Sequence, residues 1–348
     1  MNRFLLLLSI PVLILGACNK QEKGIDNEKI LEVYSPNGQD IITDYPVIFK
    51  AKDGNGTDVT AQVSFLVNGQ VQNTNTVQFA QTGTYQITAQ LDLDGQTITS
   101  VPYQVNVQTP RHSTKVMIED YTGTWCPNCP RVTYKLDEVV QQNDRIIPVA
   151  IHYSRWQGDD PFGFDNVNTL TQDFNITAFP SPLVNRTQGF IWDETLAGLQ
   201  SELNRTQALG LAIQSQVNGN DLEIKVKVRF DLNMPDNDLN LVVYITENNL
   251  HADQVNATQY YGGQNPIPDF EQNHTLRTAL NGLYGIAIPE SDKKHDQIFT
   301  YIFNNAIPTQ ITDIQNCEIV AFVINGNDQQ ATLVNVQKAA IGTVKDFD

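Results

Sequence analysis

Cys126 and Cys129, three positions apart in residues 123–130 (GTWCPNCP), are the side chains of this sequence best suited to chemistry. Such a pair can be a redox centre, a metal clip or a structural staple. If the helix that follows opens at Cys126, unpaired amides and the helix dipole converge on that sulfur and favour its anion. Placement of this kind lowers a thiol pKa from about 8.5 into the range of roughly 3.5–7.5. Cys126 would then attack a disulfide, and Cys129, one turn on, would resolve the mixed disulfide. Pro127 suits the first helical position, where its missing N–H has no intrahelical partner to lose. A closed zinc site needs four ligands, and the sequence has no second close cysteine pair and no close histidine pair. No metal and no cofactor is expected.

The elements that must hold this pair alternate between strand and helix. KVMIEDY predicts a strand carrying Asp120, six residues before Cys126. From Cys126 onward Val132, Leu136, Val139 and Val140 recur at helical spacing. RIIPVAIHY reads as a buried strand, NVNTLTQDFNI as a short helix and SPLVNR as a strand. DETLAGLQSELNRT reads as a last helix, with Asp193 as N-cap and Leu196, Leu199 and Leu203 facing inward. Interleaving of this kind predicts an α/β layer over residues 110–207.

On either side the pattern is all-β. Residues 30–109 are short alternating runs broken by Asn68-Gly69 and Asp94-Gly95, strong hairpin signals. The stretch GTYQITAQ in them resembles the penultimate strand of bacterial immunoglobulin-like modules, and a small sandwich is expected. Residues 208–348 return to strands, with Asn218-Gly219 and Asn325-Gly326 as turns, and predict a second sandwich. The long Tyr-, Gly-, Asn- and Pro-rich stretch between Leu250 and Pro289 is expected to be either functional or mobile.

IEDYTGTWCPNCP, followed downstream by FNITAFPSPLVN, is similar to the active strand, CxxC helix and proline loop of the thioredoxin family. The resemblance implies a thioredoxin-like central domain with Phe179 and Pro180 docking an extended substrate across a cis bond. Asp120 matches that family's buried carboxylate. Burial raises a carboxyl pKa, so Asp120 is expected to take the Cys129 proton. Trp125 and Pro127 are expected to shield the disulfide and contact substrate, while Glu119 points to the other face into solvent.

The N-terminus fixes where this chemistry would take place. Arg3, an apolar run at residues 4–15 and the ending LGAC describe an export signal. The run is 12 residues long, short of the roughly 17–25 that cross a bilayer. LGAC resembles the bacterial lipobox, which implies removal of residues 1–17 and lipid on Cys18. Residues 18–29, polar and without periodicity, are expected to be a tether. A formal net charge of −17 excludes nucleic acid as a natural partner.

Taken together, lipobox, β module, GTWCPNCP segment and a β-rich C-terminal part with EQNHTLR and CEIVAFVI resemble the Omp28-related outer-membrane lipoproteins of Bacteroidetes. The expectation is a multidomain α+β protein held at the outer membrane. Its function would be thiol–disulfide exchange on exported proteins, served by a redox partner protein. The alternative is a non-enzymatic surface-binding lipoprotein in which the cysteine pair is a structural disulfide. His152, His274, Arg277 and Cys317 read as structural. Asn185-Arg186-Thr187, a glycosylation triplet in another setting, carries no weight beside a lipobox.

Overall fold

The computed structural model describes residues 30–156 and 158–348. The signal segment and Cys18 lie outside the described residues.

Residues 30–108 fold around a core of their own that includes Phe49, Phe65, Phe79, Ile87 and Val105. Its main sheet runs Asp40–Ile42, Tyr103–Gln108, Gly83–Leu93, Ser64–Val67, Gln70–Val71, and Gln96–Thr99 pairs with Gly83–Leu93. Two of its hairpins turn at Asn68-Gly69 and Asp94-Gly95, where all four residues have positive φ (47°, 80°, 50° and 75°). That is the backbone these dipeptides adopt most readily.

The remainder is built on one eight-stranded sheet. Its order is Ser181–Val184, Val116–Thr122, Ile146–His152, Thr275–Ala279, Leu239–Glu247, Cys317–Asn325, Thr332–Ala340, with Ile286–Ala287 against Leu239–Glu247. Val116–Thr122 and Ile146–His152 are parallel, in register from Val116 opposite Ile146 to Thr122 opposite His152. The central strands read as unbroken apolar runs because both of their faces are buried. Leu241, Val243 and Ile245 with Ile319, Ala321 and Val323 point to one side. There they meet a second, four-stranded sheet of Ile298–Ala306, Asp221–Phe230, Leu209–Asn218 and Val344–Lys345. Val242, Tyr244, Val320 and Phe322 point to the other side.

That other side decides the fold class. Tyr121, Val149, Phe164, Leu170 and Phe174 pack there, in the same cluster as Val242, Tyr244 and Phe322. The strand and helix segment therefore continues the sheet of the C-terminal part and shares its core. The expected separate thioredoxin-like α/β domain, with an independent sandwich after it, is not what forms. The molecule is a β-rich multisheet fold, with 43% strand against 13% helix among the described residues. The physical reason is the two-sided apolarity of Leu239–Glu247 and Cys317–Asn325: one face alone is satisfied by the four-stranded sheet, and the other must be covered by residues 117–183. Helix α1 (Cys129–Gln142) covers the opposite face of the 116–122 strand, through Val132, Leu136 and Val139 against Val116, Ile118 and Ile146.

Candidate functional site

Cys126 and Cys129 are joined by a disulfide, with Cα atoms 5.4 Å apart, and each is 1% exposed. Helix α1 begins at Cys129, with Asn128 as N-cap and Pro130 in its first turn. Cys126 precedes the helix, in a turn closed by its N–H to the Gly123 carbonyl (3.0 Å). The expected helix start at Cys126 thus falls three residues late. The dipole acts at the last turn position and first helical residue, because its effect fades within about one turn.

The pair is covered by a segment far away in sequence. The Val255 N–H donates to the Thr124 carbonyl (2.8 Å), and the Ala257 N–H donates to the Pro127 carbonyl (2.7 Å). The Gln254 side-chain amide donates to the carbonyls of Gly123 (3.3 Å) and Cys126 (3.0 Å). Gln254 and Asn256 are themselves buried. Gln254 is held by the Gln272 amide (3.0 Å), and Asn256 donates to the carbonyls of Tyr260 and Gln264 (3.1 Å each). This cap grows from the hairpin of Leu250–Gln254 and Ile267–Gln272. Tyr260 and Tyr261 at its tip lie against Tyr134 of α1, with ring centroids 4.8 and 5.8 Å apart. The stretch after Leu250, expected to be functional or mobile, is an ordered cover. Its signal in the sequence was the aromatic pair Tyr260-Tyr261 among polar residues.

On the other side stand the aromatic residues. Trp125 donates its indole N–H to the Tyr153 carbonyl (2.7 Å) and meets Phe179 edge-on at 5.5 Å. The guanidinium of Arg155 lies between Trp125 and Trp156, 4.2 and 4.3 Å from the ring centroids. Trp125, Pro127, Phe179 and Pro180 are each half-buried, and the Phe179-Pro180 bond is cis. Gly123 is required beneath Trp125, since an added Cβ would sit 2.7 Å from its indole nitrogen. Gly123→Ala is expected to displace Trp125 and cost about 1–3 kcal/mol, the usual range for overpacking. A lowered thermal midpoint with red-shifted tryptophan emission checks it.

Asp120 is 2% exposed, and its Oδ1 has no hydrogen-bond partner among the described residues. Burial pushes its carboxyl up to about 7, against the opposing pull of Arg131. It faces a small cavity of about 30 Å³ shared with Thr122, Asp137 and His274, room for a water molecule but not for a substrate. Glu119 is not solvated: both it and Arg186 are fully buried, and they pair at 2.9 Å. Arg186 also donates to the Tyr244 hydroxyl (2.6 Å) and the Leu283 carbonyl (3.1 Å). The alternation rule correctly sent Glu119 to the face opposite Asp120. That face is core, because the sheet is covered on both sides.

His152 is buried, with Nδ1 2.9 Å from Asp160 Oδ2. Asp160 accepts from the N–H groups of Thr124 (2.7 Å) and Phe162 (2.9 Å). Burial alone would raise the Asp160 carboxyl, but His152 and these amides hold it below its ordinary value. The pair fixes the chain one residue before Trp125, a positioning role that sequence spacing did not reveal. Arg277 pairs with buried Glu247 (3.1 Å), and Cys317 is a buried thiol pushed up by desolvation to about 12. The structure therefore joins Cys126 to Cys129 in the turn that carries Trp125 and Pro127, packs Phe179 on Trp125, and sets Asp120 on the strand leading to this turn. Among the described residues no cluster of three or more His, Cys, Asp or Glu side chains could hold a metal ion.

Comparison with known proteins gives one sequence-level match. The family model described as "Outer membrane protein Omp28" matches residues 167–345, more than half of the chain. No curated protein matches. Among solved structures, HBP35 of Porphyromonas gingivalis is 16% identical with a TM-score of 0.51, over 67% of this chain and 77% of that one. At that identity the likeness concerns the fold alone. A domain of the outer membrane lipoprotein Omp28 from Porphyromonas gingivalis is 17% identical with a TM-score of 0.25, over 39% of this chain and 88% of that one. A DUF3823 family protein from Bacteroides ovatus is 9% identical with a TM-score of 0.22, over 82% and 94%. Neither of these two superposes closely enough to carry an argument. Among the described residues no helix is long and apolar enough to cross a membrane.

Proposed function

We propose that this protein, which belongs to the Omp28 family of outer membrane proteins, is a non-enzymatic binding lipoprotein whose Cys126–Cys129 disulfide is a structural staple. The observation that carries the reading is the cap. Both cysteines are 1% exposed, and the main chain beside them is engaged by Gln254, Val255 and Ala257. An incoming peptide could reach neither buried cysteine without displacing this cover. The disulfide then serves the architecture. It fixes the turn against which the cap seats, and so ties the 116–122 strand and α1 to the hairpin of the C-terminal part. The lipobox at Cys18 would hold the folded body at the membrane through acyl chains.

One observation favours thiol–disulfide exchange instead. Asp120, buried and raised to about 7, has the property that reading asks of a proton acceptor for Cys129. Attack by Cys126 would then require residues 254–257 to lift away. Trapping separates the two readings. In cells carrying Cys129→Ala, a structural staple yields no mixed disulfide through Cys126 on non-reducing gels. A ladder of exported proteins bound through Cys126 would instead establish exchange. The same variant is expected to lose about 2 kcal/mol of stability, the loop-entropy value for so short a bridge, readable in a urea melt.

A further inference from the structure

We propose that the free edge of the Ile298–Ala306 strand is the docking site for a second copy of this chain, by antiparallel strand pairing about a two-fold axis at Thr300. This strand ends the four-stranded sheet and is paired on one side, with Asp221–Phe230. It is nine residues long, IFTYIFNNA, with no charge, glycine or proline, and its register with residues 221–229 runs without a bulge. Natural proteins guard open edges with lysines, prolines, bulges or covering elements. An unguarded uncharged edge of this length is built to be paired.

The direction of its main-chain groups follows from two bonds at its ends. The Phe230 N–H donates to the Gln297 carbonyl (3.3 Å) and the Ile307 N–H to the Asn220 carbonyl (2.9 Å). Odd-numbered positions therefore bond inward to residues 220–230. By antiparallel alternation, Ile298, Thr300, Ile302 and Asn304 present their N–H and C=O groups to the open edge. Phe299, Tyr301 and Phe303 pack on the core below, whereas Ile298 and Ile302 are 47% and 55% exposed. A two-fold axis at Thr300 sets Thr300 against Thr300 and each Ile298 against the other copy's Ile302. Neighbouring two-fold registers lose these isoleucine pairs. Apolar pairs facing one another across strands are the unit of sheet stabilisation.

The self-pairing of Ile298 with Ile302 about this axis points to a second copy, and charge at the edge does not oppose one. With a net charge of −17, most of the surface would repel a copy of itself, but this edge carries none of that charge. The strand behind it presents Lys225, Lys227 and Arg229 on the outer face, opposite Ile302, Thr300 and Ile298. Lys225 and Lys227 make no ion pair among the described residues. Across the joined edges these rows stand roughly 14 Å apart, three strand spacings, beyond the screening length of about 8 Å at physiological salt.

Site-directed cross-linking of the full chain tests the register. With Cys18 carrying lipid, as its lipobox implies, with Cys126 and Cys129 bonded to each other and with Cys317 1% exposed, an introduced surface thiol reports cleanly. Under mild oxidation Thr300→Cys is expected to give a covalent dimer on a non-reducing gel. Adding Ile302→Lys should abolish it. Asn304→Cys should give none, because two copies of that position lie roughly 27 Å apart in this register, far beyond disulfide reach. No dimer from Thr300→Cys, equal dimer from Asn304→Cys, or a Thr300→Cys adduct to a different protein would each overturn the proposal.

Discussion

Arg186→Ala is expected to lower stability by about 3–5 kcal/mol, the cost of leaving a buried charge without its partner. Glu119 would keep its carboxylate at 0% exposure with no cation beside it. Burial by itself disfavours the Arg186 cation, but Glu119 overrides this and holds the guanidinium charged. Phe174, Tyr244, Tyr284 and Phe322 surround it, with the guanidinium 5.0–5.9 Å from their ring centroids. The pair thus joins the 116–122 strand to Tyr244 and Phe322 of the C-terminal part. Replacing both partners, Glu119→Leu with Arg186→Met, should recover most of the loss, since an apolar pair of similar volume removes the desolvation cost along with the attraction. Urea unfolding of the single and the double variant checks this. Equal destabilisation by single and double variants would show that shape, not charge, matters at this position.

The second large effect concerns pH. Asp120 titrates near 3.9 in an unfolded chain, whereas burial lifts its folded value to about 7. Below about pH 4 the carboxyl is neutral in both states and costs the fold little. As pH rises toward 7 the unfolded state releases this proton while the folded state retains it, so stability falls, and above 7 the loss levels off. At about 1.4 kcal/mol for each pH unit between those two values, the full swing is roughly 4 kcal/mol. Asp120→Asn cannot ionise and should escape it. The variant is expected to gain on the parent steadily between pH 4 and pH 7 in urea melts, with the difference level above that. Because Asp137 and His274 share the cavity, the difference between the two proteins isolates Asp120. Parallel profiles would mean that the carboxyl stays ionised or solvated.

Local structure was legible because turn chemistry and periodicity are local. Asn68-Gly69 and Asp94-Gly95 turn hairpins, and Val132, Leu136 and Val139 line the buried face of α1. Cys126 and Cys129 are bonded to each other, and Trp125 packs on Phe179. What could not be read was which faces are covered twice. Glu119 alternates away from Asp120 as expected, yet finds core because the sheet continues through Thr275–Ala279 into Leu239–Glu247. Arg186 stood in a triplet set aside as a surface signal, and it is among the largest fully buried side chains of the fold. Most consequential, the CxxC spacing identifies a disulfide-capable turn but says nothing of a cover supplied 128 residues later by Gln254. Long-range pairing of that kind leaves no periodic trace in either segment.

Reduction kinetics of the folded protein test the sealed disulfide most directly. With excess dithiothreitol, and with alkylation and mass measurement reporting free Cys126 and Cys129, reduction in native buffer should be slow and should accelerate steeply with sub-denaturing urea, because attack must wait for the cap to open. Reduction in native buffer as fast as in the unfolded chain, indifferent to urea, would contradict a sealed staple and return the pair to redox chemistry.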